Sequence, residues 1–234
     1  MKKYLVTGVK SGLGKYLYKN LSDVNGLDRN NFDSIKNDEY ETIIHCAFNK
    51  AQNVDNIGDY YSYLEDNILL TQELLKLNYK KFIYISTIDV YPTTLNLYGL
   101  FKRFSESVVK RYMGTIILRP SMILGQDIKP NHVTKLRSNE SSLSLSGDST
   151  FNYILNSDIL KFIESYSYRC PEGIIDFVAN DSTKLSDTHK ELNSTTSLGN
   201  YTYSAEYQWI NPIYDIYEEF NKSSLDNLKQ YING

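Results

Sequence analysis

Tyr98 and Lys102 stand four residues apart in YGLFK, a spacing that puts both side chains on one face of a helix. A free tyrosine, with a pKa of about 10, is a poor base near neutrality. A neighbouring ammonium stabilises the phenolate and lowers that value. The pair is therefore a candidate acid/base unit for interconverting a hydroxyl and a carbonyl. In a chain with 21 tyrosines the spacing also arises by chance, so the flanking residues matter. Just upstream, KFIYISTIDVYP closes a strand-like run at Ser86 and Thr87. The carboxyl end of a parallel strand presents such a hydroxyl to the ligand crevice, where it can hydrogen-bond the oxygen that Tyr98 protonates or deprotonates.

A second constellation lies at the start of the chain. YLVTGVKSGLGKYLYKNL places Gly8, Ser11, Gly12, Leu13 and Gly14 between a strand-like run and a helical one. Glycines there let the backbone approach a pyrophosphate closely, and the free N–H groups and positive dipole end of the helix stabilise the anion. Asp28 follows twenty residues beyond Gly8, in VNGLDR, where the second strand of such a unit ends. A carboxylate at that point accepts ribose hydroxyls and repels a 2′-phosphate, which favours NAD over NADP. Arg29 beside it reads either as a solvated surface residue or as a grip for that phosphate, so NADP stays open.

These residues need a scaffold. Short apolar runs at 4–7, 42–47, 81–86 and 115–119 alternate with segments of helical period, including 60–77 and 97–112. Alternation of this kind predicts a doubly wound parallel sheet covered on both faces, a Rossmann fold in the α/β class. After Gly125 the chain turns polar, then resumes with a strand-like 151–155, a helix from Ser157, a strand-like 173–178 and a last helix around 223–231. The expected division is a dinucleotide-binding core of residues 1–122, rejoined by about 151–170, with 123–150 and 171–234 forming a small, trimmed substrate-binding lobe.

Composition narrows the partners. The formal charge is −3 and Lys and Arg are scattered, which argues against nucleic acid or an anionic membrane surface and for a small molecule. Two cysteines and three histidines, with no ligand spacing among them, predict neither disulfides nor a metal site. With no signal-like or membrane-spanning apolar run, the expected location is cytoplasmic.

Taken in order, TGVKSGLG, LDR, IIHCAFNK, DNILLTQELL, YISTIDVYP, YGLFK, ILRPSMILG, FNYILNSDIL and GIIDFVAND make the chain resemble the extended short-chain dehydrogenase/reductase family. That group includes nucleotide-sugar epimerases, dehydratases and reductases. The resemblance implies that Tyr98 is the acid/base and that Lys102 also holds the nicotinamide ribose. Thr87 takes the place of the active-site Ser or Thr, with Ser86 as the fallback, and Ala47, Lys50 and Asn67 line the cofactor cleft. On the residues alone, Ala47 reads equally as core packing, and Lys50 and Asn67 as surface or capping positions. The resemblance further implies an epimerase- or dehydratase-like oxidoreductase using NAD, a nucleotide-sugar substrate, and a homodimer formed through the helices near 60–77 and 97–112.

Departures from the family pattern qualify this. The glycines read G-x-x-x-G-x-G, so Ser11 stands where extended members carry glycine. Only TTLNL separates Tyr91-Pro92 from Tyr98. Met122 occupies the place where many epimerases and dehydratases have an asparagine for the sugar-nucleotide phosphate, which moves weight toward a keto-sugar reductase. Asp89 echoes an acidic residue of the dehydratases, against its plainer reading as a loop cap. A non-catalytic NAD(P)-sensing protein is the rival from another class.

Overall fold

The computed structural model describes residues 2–28, 31–49, 57–93 and 95–234. Two expected cofactor residues, Arg29 and Lys50, lie outside these. In chain order the elements are β1 (Lys2–Thr7), α1 (Gly12–Asn20), β2 (Val24–Leu27), α2 (Phe32–Ile35), β3 (Glu39–His45), α3 (Ile57–Leu64), a π-helical turn (Glu65–Leu69), α4 (Leu70–Leu74), β4 (Asn78–Ile85), a 3-10 turn (Ile88–Val90), α5 (Leu97–Val109) and β5 (Thr115–Pro120). They continue with β6 (Met122–Leu124), α6 (His132–Arg137), β7 (Thr150–Phe151), β8 (Tyr153–Leu155), α7 (Asn156–Ser165), β9 (Gly173–Phe177), β10 (Thr183–Lys184), α8 (Leu185–Glu191), α9 (Ile213–Ile216) and α10 (Ser224–Asn233).

Six strands form one sheet in the order β2-β1-β3-β4-β5-β9, with parallel pairing from β2 through β5. This is the expected doubly wound α/β sheet, and the order reverses between β1 and β3, where open sheets of this type bind ligands. Among the described residues, β2 is the one strand beyond β1 on that side, and eleven residues separate it from β3, too few for a further strand and its crossover. β1 and β4 each run from exposed or half-exposed residues into four successive buried ones. That pattern suits strands covered on both faces and explains why they read as unbroken apolar runs. Leu5, Ile43, Phe82, Tyr84 and Ile117 pack with Leu74 and Val109 into one core cluster.

The chain divides into two compact units, residues 1–119 with 160–175, and residues 120–159 with 176–234. The second has its own core, including Leu124, Leu136, Phe151, Tyr153, Leu185 and Leu228. The strand-like run 151–155 is split within it. Asn152 is buried and its amide donates to the carbonyls of Ala179 and Asp181. On either side β7 pairs antiparallel with β10, and β8 pairs parallel with β6.

The expected continuous helix at 60–77 is interrupted by the π-helical turn and ends at Leu74. α5 starts at Leu97 as expected, its first turn capped by the Asn96 side chain, which accepts the Gly99 N–H at 2.8 Å. A Cβ at Gly99 would meet the Asp89 carbonyl oxygen at 2.3 Å. That close approach is how the short TTLNL connection brings α5 onto the turn that follows β4.

Candidate active site

α5 is an amphipathic helix whose buried stripe is chemically unusual. Its inward residues are Gly99, Phe101, Lys102, Ser105, Glu106 and Val109. Three of these are polar or charged, and each must find partners inside the protein because burying such groups unpaired is costly. Glu106, 1% exposed, accepts Arg119 through Nε at 2.9 Å and Nη2 at 2.7 Å, and its Oε1 also accepts the Ser86 hydroxyl at 2.7 Å. The Arg119 guanidinium lies over the Tyr91 ring at 5.0 Å. Ser86 is thus committed to Glu106, which sets aside its fallback role and leaves Thr87 as the hydroxyl at the strand end.

Thr87 caps the 3-10 turn, its Oγ1 accepting the Asp89 N–H at 3.2 Å. Its side chain is also hydrogen-bonded to Tyr98. While accepting from Asp89, the Thr87 hydroxyl still has a proton it can donate to the Tyr98 oxygen, and in that arrangement the phenol proton is the one left to pass on. Burial and the negative charge of Asp89 hold the Tyr98 pKa above its ordinary value, with the Thr87 bond opposing them. This reverses the lowered pKa expected from the Tyr-x-x-x-Lys spacing. The spacing set the face correctly, but the ammonium of Lys102 is drawn elsewhere. Its Nζ donates to the Ile85 carbonyl at 2.5 Å and sits 4.4 Å from the Phe48 ring centre and 4.7 Å from that of Tyr84. Phe48 also meets the Tyr98 ring edge to face at 5.0 Å, so it touches both members of the pair.

The glycine turn is built for close approach. Gly8 and Gly12 have φ of +74° and +61°, conformations that favour glycine. A Cβ at Gly14 would meet the Thr7 and Gly8 carbonyl oxygens at 2.6 Å. Ser11 adopts ordinary extended backbone at the N-cap of α1, so the missing glycine there costs no strain. Leu13 is buried on the inner side of α1. A Cβ on Gly8 would come within 3.0 Å of the Ala47 backbone nitrogen, which seats Ala47 against the turn. Asp28 follows β2 and pairs with Lys10 of the turn at 3.0 Å.

A buried relay joins the turn to the π-helical segment. The Ala47 N–H donates to Thr7 Oγ1 at 2.8 Å, Thr7 Oγ1 meets His45 Nδ1 at 2.8 Å, His45 Nε2 meets Thr71 Oγ1 at 3.0 Å, and Thr71 donates to the Asn67 carbonyl at 2.7 Å. Because Thr71 gives its proton to the Asn67 carbonyl, it must accept from His45, which places a proton on Nε2. Burial, aided by the Lys102 charge, pushes its pKa down to about 3. Asn67 is buried, and its amide brackets the backbone of Asn49, accepting the N–H at 2.7 Å and donating to the carbonyl at 3.2 Å. It therefore holds the backbone after β3 from a buried position, rather than standing at a surface or cap.

His132, buried among Phe151 and Tyr153, is likewise pushed down, to about 4. Both histidines are held neutral, so the unfolded chain binds more protons below about pH 6.5. Stability is expected to fall as pH drops from 6.5 toward 4, with a slope of about 1.4 kcal/mol per pH unit for each histidine. Denaturant titrations of the wild type and of His45→Asn at pH 7, 5.5 and 4.5 check this. A slope unchanged by the substitution would contradict it.

Thr7, Lys10, His45, Phe48, Thr71, Glu106 and Arg119 were not singled out by sequence reasoning. Glu106 had a signal, since it continues the face of Tyr98 and Lys102 at a further four residues. Among the described residues no cluster of His, Cys, Asp or Glu suits a metal ion, and no helix is long and apolar enough to cross a membrane.

The profile of the NAD dependent epimerase/dehydratase family matches residues 2–142. The chain belongs to this family. The matched span includes the glycine turn, Asp28, the relay and the Thr87, Tyr98 and Lys102 group. No curated protein matches the chain. Among solved structures it is similar to dTDP-4-dehydrorhamnose reductase from Yersinia enterocolitica (18% identity, 100% of this chain and 99% of that one, TM-score 0.78). It is also similar to the Bacillus anthracis reductase of the same name in complex with NADP (17%, 99% and 99%, 0.77) and to UDP-glucuronic acid 4-epimerase from Bacillus cereus in complex with UDP-glucuronic acid and NAD (19%, 99% and 99%, 0.70). At these identities the likeness establishes the shared fold. In this epimerase/dehydratase family member Gly8 and Gly14 let the turn pack against the chain's own backbone, and Gly12, where a Cβ would meet nothing within 4 Å, leaves an open side at the start of α1 that suits the diphosphate of a dinucleotide.

Proposed function

We propose that the chain is an NAD(P)H-dependent oxidoreductase of nucleotide-linked sugars that reduces a keto group, with Tyr98 as the proton donor. The observation that carries this reading is the hydrogen bond between Tyr98 and Thr87 at the end of β4, together with the burial and the Asp89 charge that raise the Tyr98 pKa. A tyrosine that keeps its proton at neutral pH is an acid, and reduction of a carbonyl needs one. When bound, the reduced nicotinamide supplies the hydride to the carbonyl carbon. Tyr98 gives its proton to the carbonyl oxygen as the C=O π bond breaks, Thr87 steadies the phenolate left behind, and solvent restores the proton. In this reading Lys102 holds the nicotinamide ribose, the turn from Gly8 to Gly14 the diphosphate, and Asp28 the adenosine ribose, with Ala47 and the segment fixed by Asn67 along the cleft. The second unit is the substrate-facing lobe, and the working location is the cytoplasm.

Epimerisation is the second reading. It uses the same residues in both directions at one carbon, and the family name and the similar epimerase structure favour it. The experiment is incubation with NADH or NADPH and a panel of dTDP- and UDP-linked sugars and their 4-keto derivatives, with chromatographic separation and mass analysis. Gain of two hydrogens with matching oxidation of the dinucleotide is expected. An isomer of unchanged mass assigns an epimerase and loss of water a dehydratase. Bound dinucleotide with no product means a substrate outside this class or a sensing role, and withdraws the nucleotide-sugar assignment.

The assembly that goes with this reading is a homodimer. Tyr60, Tyr61, Leu64 and Leu69 on α3 and the π-helical turn, and Phe104 on α5, are 39–60% exposed. Apolar side chains presented by neighbouring elements suit a self-complementary two-fold interface. Sedimentation analysis is expected to give a dimer that Tyr61→Lys with Phe104→Glu converts to a folded monomer. A monomeric wild type would contradict the assignment.

A further inference from the structure

Phe48 follows β3 on a stretch of main chain that is pinned on both sides of it. The Ala47 N–H donates to Thr7 Oγ1 at 2.8 Å, and the amide of Asn67 brackets the backbone of Asn49, accepting its N–H at 2.7 Å and donating to its carbonyl at 3.2 Å. Side chains of two other elements thus fix the backbone around one apolar residue. Its half-buried ring carries that position to the reacting pair. The Lys102 ammonium lies over it at 4.4 Å, the Tyr98 ring meets it edge to face at 5.0 Å, and the Tyr63 ring stands against it at 5.9 Å.

Lys102 is 2% exposed, and a buried ammonium needs compensation. Here it comes from the Ile85 carbonyl and from the rings of Phe48 and Tyr84, whose faces attract a cation. Tyr98 and Lys102 share α5 at a spacing of one helical turn, and a lysine side chain is a point charge on a flexible stem. Without a hold on it, the ammonium can swing to the phenol oxygen and stabilise a phenolate. The other titratable groups around the two are Asp89, Tyr63 and Tyr84 beside Tyr98, and His45 and Cys46 beside Lys102. Asp89 favours the protonated phenol, and burial keeps His45 and Cys46 neutral near pH 7, so a phenolate at Tyr98 depends on how close the Lys102 ammonium comes.

We propose that Phe48 is a positioning residue, whose ring holds the Lys102 ammonium off the Tyr98 oxygen and so keeps Tyr98 a proton donor. Its effect on turnover rests on the reductase reading above, whereas the hold itself is measurable without substrate.

The test is the titration of Tyr98, followed by NMR of protein carrying carbon-13 at the tyrosine Cζ, the signal being assigned by its loss in Tyr98→Phe. It is run on the wild type, on Phe48→Leu, which keeps bulk without a ring, and on protein with trifluorophenylalanine at position 48. That ring keeps its shape while the fluorines drain negative charge from its face. Wild-type Tyr98 is expected to stay protonated to about pH 10. In Phe48→Leu it should lose its proton at a pH lower by about one or more, the effect of an ammonium in contact, and the trifluoro ring should act in the same direction by less. The reductive kcat of Phe48→Leu should then begin its alkaline fall about one pH unit before that of the wild type, with KM within about twofold. Thermal unfolding is the folding control, and if Phe48→Leu does not fold the trifluoro protein decides alone. A Tyr98 titration in the trifluoro protein that coincides with the wild type overturns the inference and leaves the reductase reading standing. A shifted titration with no turnover of any keto sugar supports the hold by Phe48 and removes the reductase reading instead.

Discussion

Tyr98→Phe is expected to lower turnover by about a hundred- to ten-thousand-fold, the usual contribution of a positioned general acid, while dinucleotide affinity stays within about twofold of wild type. The substitution removes only the hydroxyl at the end of the Thr87 chain and keeps the ring that packs against Phe48. Thr87→Val should fall in the same direction by a smaller factor, because it removes the group that steadies the phenolate but not the proton. The pH profile sharpens the point. With its pKa held above about 10, Tyr98 stays protonated throughout the neutral and mildly alkaline range, so the reductive rate should show no loss of the acid up to pH 9. A Tyr98→Phe enzyme of undiminished turnover would remove Tyr98 from the chemistry.

Glu106→Ala is expected to cost about 3–5 kcal/mol of stability, the usual penalty for leaving one partner of a buried pair uncompensated. For a chain of this length that corresponds to a melting point lower by about 6–20 °C. Arg119 has no easy escape to water: its side chain is 8% exposed and lies over Tyr91. Glu106→Ala combined with Arg119→Met should recover much of the loss, since the stranded charge goes too. Glu106→Gln should be milder in stability. It keeps an acceptor for Ser86 and so separates the charge of the pair from its hydrogen bonding. Thermal and denaturant unfolding of the three variants checks this. A loss below about 1 kcal/mol for Glu106→Ala would mean that Arg119 is hydrated or re-paired.

The layout of the sheet was legible because buried parallel strands announce themselves as unbroken apolar runs, such as YLVT and FIYI, between segments of helical period. The glycine turn and the helix carrying Tyr98 and Lys102 were legible for a similar reason, since their chemistry is local in sequence. What depends on long-range register was not. His45 reads as one more residue of an apolar strand, and only the packing of β3 between β1 and β4 sets it between Thr7 and Thr71. Lys10 and Asp28 become partners only once β1 lies beside β2. The direction of the Tyr98 pKa was misjudged because helical spacing fixes the face of a side chain but not where a long one points, and Lys102 finds the Ile85 carbonyl and two aromatic rings. The π-helical turn at 65–69 was hidden by residues that also satisfy an ordinary helical period. Its use is local, placing the amide of Asn67 on the backbone of Asn49.

The most direct test of the central claim is a single-turnover reaction using NAD(P)H that carries deuterium at the transferring carbon, with a 4-keto nucleotide sugar and mass analysis of the product. The expected product holds one deuterium on carbon and one exchangeable hydrogen on oxygen, forms with one equivalent of oxidised dinucleotide, and does not form with Tyr98→Phe. An unlabelled product, or an isomer of unchanged mass with no net oxidation of the dinucleotide, would contradict the reductase reading.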